Sequence, residues 1–114
     1  MSYRVNESKS YSNPQAAVYT AAQGAIEGIQ GKIKKEDSQA GTIKAEIPKT
    51  IHGKTLGDRT HMQIHVHTAT SGETAVDVVI YPVNAVGQEL QFGARKGVAN
   101  TVVGWFWAHL EHRL

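Results

Sequence analysis

The sequence predicts an α+β fold: an antiparallel sheet of about five strands with two helices packed on one face, in the order β-α-β-β-β-β-α. Three observations lead there. Residues 60–81 alternate apolar and polar side chains on both sides of "TSG", as the arms of a hairpin do. Two segments, about 14–30 and about 94–113, instead repeat apolar residues at helical spacing. The chain has 114 residues, 40% hydrophobic and 19% charged, which suits one globular domain, residues 1–114, able to bury its own core.

The elements follow in order. "SYRVNES" sets Tyr3 and Val5 against Arg4 and Asn6 and reads as a first strand. "SNP" then starts a helix, with Asn13 placed to accept from free backbone N–H groups and Pro14 placed where a missing N–H costs nothing. The stripe Val18, Ala21, Ala22, Ala25, Ile26 and Ile29 marks its buried side. Gly24 and Gly28 lie one turn apart on this helix, each weakening it by roughly 1 kcal/mol relative to alanine. Either a neighbouring element approaches closely there, or the glycines face solvent.

Four strands come next: 31–36, 42–47 and the two arms of the hairpin. A three-residue loop closed by a left-handed glycine, Gly72, sets the hairpin register. Val66 then faces Val76, Ile64 faces Val78 and Met62 faces Ile80, so all six apolar side chains share a face. The other face pairs His65 with Asp77, His67 with Ala75, Gln63 with Val79 and His61 with Tyr81. The final helix carries Ala99, Val102, Val103, Phe106 and Leu110 as its core stripe. Trp105 and Trp107 fall on opposite flanks of Phe106, so one face cannot bury all three rings equally. A slim alanine-glycine helix beside a bulky "WFW" helix is a natural fit.

This order of elements resembles the TATA-binding-protein-like fold, a relative of the helix-grip arrangement, over nearly the whole chain. The resemblance implies a small bacterial domain of that shape. Such folds host DNA binders and hydrophobic-ligand binders alike, so the resemblance does not choose a function.

Composition narrows the chemistry. There is no cysteine, which removes disulfides, zinc-thiolate sites and thiol nucleophiles and agrees with a cytoplasmic protein. "MSYRVNESKSYSNPQ" has no apolar segment of the signal-peptide kind, and the longest apolar run, "VVGWFWA", is too short to span a bilayer. A formal charge of +2 is too mild to argue for nucleic acid. The outward sheet face carries Lys32, Lys34 and Lys44 but only Tyr81 as a stacking platform, so nucleic acid is an unlikely partner.

Several clusters remain as candidates. "THMQIHVH" points His65 and His67 the same way from one strand, with Asp77 across from His65. Two imidazoles and a carboxylate are ligands for zinc or another divalent transition metal. His61 shares the face but lies about 13 Å from His65, too far to join the same ion. The alternative is a cross-strand pair on a wet sheet, worth roughly 0.2–1 kcal/mol. "HGKT" imitates the end of a phosphate loop, but Pro48 stands where the pattern needs glycine, so nucleotide binding is rejected. Arg95 and Lys96 in "GARKG" lie near the positive end of the last helix's dipole. With Trp105 they suggest a small apolar or anionic ligand between that helix and the sheet; otherwise they simply extend into water. Trp105 and Trp107, with His61, Val79 and Tyr81 on the sheet, are candidates for contact with a second copy of the chain. No G-x-S-x-G elbow or paired-carboxylate pattern argues for an enzyme. The sequence therefore points first to a small non-catalytic homo-oligomeric binding or structural module. A ligand binder comes second and a divalent-metal site third. No resident cofactor is expected beyond such a metal, and no membrane.

Overall fold

The computed structural model describes residues 3–94 and 97–114. Its main sheet has five antiparallel strands in the order β1-β7-β6-β3-β2, built from β1 (Val5–Tyr11), β2 (Lys32–Asp37), β3 (Thr42–Ile47), β6 (Arg59–Thr68) and β7 (Thr74–Val83). Between β3 and β6 a short hairpin adds β4 (Thr50–Ile51) and β5 (Lys54–Thr55). Helices α1 (Gln15–Gly28) and α2 (Val98–His112) pack side by side on one face. The predicted class and order therefore hold, with the small β4–β5 hairpin as an addition between β3 and β6.

The β6–β7 register is the one that the alternation demands. Val66 pairs with Val76, Ile64 with Val78 and Met62 with Ile80, and all six are buried. Gly72 closes the turn at φ 88°, and its N–H donates to the Ala69 carbonyl at 2.9 Å. Ile43, Ala45 and Ile47 of β3 continue this inner face, so the helices meet a largely apolar surface. Val18, Ala22, Ile26, Val102, Phe106 and Leu110 fill it from the helix side with no exposure. Burial of that apolar area, at about 25 cal/mol per Å², is what holds the layers together.

The helix glycines have a structural reason. A Cβ on Gly24 would meet Arg113 Nε at 2.7 Å, and one on Gly28 would press into the His109 ring. The end of α2 thus lies close over α1, and the solvent-facing alternative falls away. The start of α1 differs from expectation. Pro14 is the cap residue, no side chain caps the helix, and the Asn13 carbonyl instead accepts from Thr74 Oγ1 at 2.7 Å. Asn13 serves the tie to β7 rather than the helix. At the other end Gln30 turns left-handed at φ 62°. The Gln30 N–H donates to the Glu27 carbonyl at 2.9 Å and the Gly31 N–H to the Ile26 carbonyl at 2.8 Å, a Schellman closure. No helix among the described residues is long and apolar enough to cross a membrane.

Candidate functional site

Two regions bring chemically able side chains together: a groove beside α2, and the outer face of the sheet.

The groove begins with the "HGKT" stretch. His52 and Gly53 both have positive φ, 49° and 80°, the geometry of a two-residue type I′ turn. This turn joins β4 to β5 and folds the hairpin against the end of α1. The His52 backbone N–H donates to Gln30 Oε1 at 2.8 Å. His52 Nε2 lies 2.8 Å from the Gly28 carbonyl. A carbonyl only accepts, so this nitrogen carries the proton, and one of the last carbonyls of α1 is satisfied. The hairpin and α2 then enclose an open groove of about 360 Å³, lined by Ile29, Ile51, His52, Lys54, Trp105, Ala108 and His109. Lys54 Nζ stands 5.4 Å from the centre of the Trp105 ring, within cation–π range. The His109 imidazole is held below its ordinary pKa, first by burial and then by Arg113, His52 and His112. It therefore sits in the groove as a neutral ring at neutral pH.

Trp107 has the opposite fate. It is 4% exposed, and its indole N–H donates to Glu7 Oε1 at 2.7 Å. Lys9 Nζ lies 5.1 Å from the centre of its ring. Glu111 ties the same region together, accepting from Tyr11 Oη at 2.8 Å and Lys9 Nζ at 3.3 Å. The expectation that Trp107 offers itself to a second subunit is corrected here: it packs on β1 of its own chain. Arg95 and Lys96 lie outside the described residues. Trp105, the third member of that expected ligand site, faces the β4–β5 hairpin. Ile29, Ile51, His52, Lys54, Ala108 and His109 were not anticipated as its company. The one available signal was the His-Gly pair, a hairpin turn more than a failed phosphate loop.

Among the described residues no helix covers the outer face. Rows of side chains cross it strand by strand. One row runs Ser8, Asp77, His65, Thr42, as the registers of β1, β7, β6 and β3 require. Ser8 Oγ donates to Asp77 Oδ1 at 2.6 Å, and His67 Nε2 donates to Asp77 Oδ2 at 2.7 Å. The rings of His65 and His67 stack with centres 4.6 Å apart. The Asp77 carboxyl is lowered by the Ser8 hydroxyl first and, against the opposing effect of burial, by His67 and His65. The expected trio His65, His67 and Asp77 is thus brought together, with one ligand atom from each within 4.8 Å of the others. His61 sits apart, 3.6 Å from Glu46 Oε2. Burial pushes the Glu46 carboxyl up, but the Arg59 hydrogen bond and charge outweigh it. Tyr81 lies edge-on to His61 at 5.9 Å and accepts from Gln63 Nε2 at 3.3 Å. Val79 is half-buried between these rows.

No family model matches the chain, and no curated protein matches it. Solved structures do. Ara h 8.0201 superposes with a TM-score of 0.65 at 12% identity, covering 99% of this chain and 98% of its own. A protein from Nitrosospira multiformis reaches a TM-score of 0.54 at 14% identity, over 94% and 92%. The di-domain ARO/CYC StfQ of the steffimycin biosynthetic pathway reaches 0.52 at 9% identity, over 93% of this chain and 43% of that one. The chain has a helix-grip fold. That fold is related to the TATA-binding-protein-like arrangement suggested by the element order but is not identical to it. At these identities the likeness concerns the fold alone.

Proposed function

We propose that this chain is a small non-catalytic binding module that holds an apolar molecule with an anionic end in the groove beside Trp105. One observation carries the reading: the groove has an apolar floor of Ile29, Ile51, Trp105 and Ala108 with a single ammonium, Lys54, at its rim. Apolar lining supplies most of the binding free energy of such sites, and a few polar groups fix orientation. Lys54 supplies the orienting charge, while the neutral His109 ring adds flat contact surface. The neighbour StfQ serves a biosynthetic pathway, which agrees with a small-molecule ligand as an analogy of fold. A cytosolic setting agrees with the lack of cysteine.

The test uses 1-anilinonaphthalene-8-sulfonate, an aromatic anion whose fluorescence rises in apolar sites. Its signal should rise with the native protein and fall when an aromatic carboxylate competes. It should weaken at least tenfold in both Trp105→Ala and Lys54→Glu. Binding unchanged in both variants would refute the groove.

A second reading, self-association, is favoured by Val86 and Phe92. Both are about four-fifths exposed, on the loop that follows β7, where a Cβ on Gly87 would stand 3.6 Å from the His61 ring. In this reading Val79, Tyr81 and His61 lie under a second copy. Native mass spectrometry on untagged protein decides it: a dimer that Phe92→Ser dissociates supports the reading, and a monomer at micromolar concentration ends it.

A further inference from the structure

We propose that His65, His67 and Asp77 bind one divalent transition ion of the zinc type on the outer face of the sheet, with solvent completing its coordination. This site lies on the face opposite the Trp105 groove and does not depend on it.

The backbone supplies the geometry. His65 and His67 alternate on β6, so both rings leave the same face of the strand. Asp77 is the direct cross-strand partner of His65 on β7, and its carboxylate reaches diagonally to His67. Two imidazole nitrogens and one carboxylate oxygen form a catalytic-type zinc set, which leaves a fourth position open. Tetrahedral ligands at 2.0–2.1 Å from zinc stand about 3.3 Å from one another. Here the three ligand atoms already lie within 4.8 Å, so side-chain rotation closes the set without moving a strand.

Ser8 contributes from the neighbouring edge strand. Its hydroxyl holds Asp77 Oδ1 and leaves Oδ2 turned toward the histidines. A bound carboxylate is ordinarily held by such an outer partner, which fixes its direction. Coordination replaces the His67–Asp77 hydrogen bond: Nε2 of His67 gives its proton to Nδ1 by exchange with water and then faces the ion. The nitrogen that faces the ion must be unprotonated on each ring, and the carboxylate must be ionised.

The observations also separate this trio from His52 and His109. His52 is committed to the Gly28 carbonyl, and His109 is packed beside Arg113. Neither has a carboxylate partner in a comparable group among the described residues.

The experiment is equilibrium dialysis of untagged protein, purified without nickel, against zinc chloride at pH 7.5. One zinc per chain should be retained at micromolar free zinc. Retention should weaken at least tenfold in His65→Ala and in Asp77→Asn, and stay unchanged in His109→Ala with His112→Ala. Both test positions are partly or wholly exposed, and circular dichroism confirms that each variant keeps the fold. Absence of retained zinc would overturn the proposal. So would zinc retained equally by His65→Ala and Asp77→Asn, or zinc lost only from the His109 and His112 variant.

Discussion

The two flanks of α2 carry the same side chain two residues apart and use it in opposite ways. Trp107 is sealed against β1 by an indole hydrogen bond, a lysine over its face and a glutamate that ties both neighbours down. Trp105 is half-buried and faces a short hairpin across an open groove. The difference comes from what lies beside each flank. A full strand runs past Trp107 and offers Glu7, Lys9 and Tyr11 from alternate positions. Among the described residues, the short β4–β5 hairpin and the end of α1 face Trp105 across the groove, too little to cover an indole. A tryptophan beside an edge strand becomes core; one beside a turn stays available.

That contrast can be tested from its strongest side first. Trp107→Ala removes a buried ring and should cost about 3–5 kcal/mol, with a fall in Tm of more than roughly 10 °C. Trp105→Ala should cost only about 1 kcal/mol yet abolish dye binding. Equal losses of stability would break the contrast. Glu7→Gln keeps an acceptor but removes the charge, and should cost about 1 kcal/mol by urea unfolding, with dye binding unchanged.

The sequence made much of the fold legible because its strongest signals were local. Six alternating apolar residues and one glycine set the β6–β7 register, and they also placed Asp77 beside His65. The outer trio therefore followed from the register of one hairpin. The groove did not, because its walls come from three separate elements. Ile29 ends one helix, Lys54 follows a turn, and His109 reaches Gly28 only because α2 crosses there. Gln30 in a left-handed closure and the bulge in β2 after Ile33 likewise depend on tertiary context. The fate of Trp107 depended on β1 extending to Tyr11, further than the opening "SYRVNES" suggested.

Smaller effects sharpen the same contrast. Gly28→Ala gains helix propensity of roughly 1 kcal/mol but forces the His109 ring away. Net stability should change little in urea unfolding, while dye affinity falls several-fold. The His109 imidazole supplies a pH dependence. Its folded pKa lies below the ordinary 6.5, so the unfolded chain takes up the proton first as pH falls. Stability should therefore begin to drop as pH passes below about 6.5 and continue down to the lower folded value. His109→Gln should remove that part of the acid loss, seen as a flatter Tm between pH 7 and pH 5.

The most direct measurement is a nitrogen–proton correlation NMR spectrum, in which the two indole N–H groups give two separate signals. Titration with 1-anilinonaphthalene-8-sulfonate should shift the Trp105 signal, assigned through Trp105→Phe, and leave the Trp107 signal in place. A shift confined to Trp107, or no shift in either while the dye binds, would contradict the groove as the binding site.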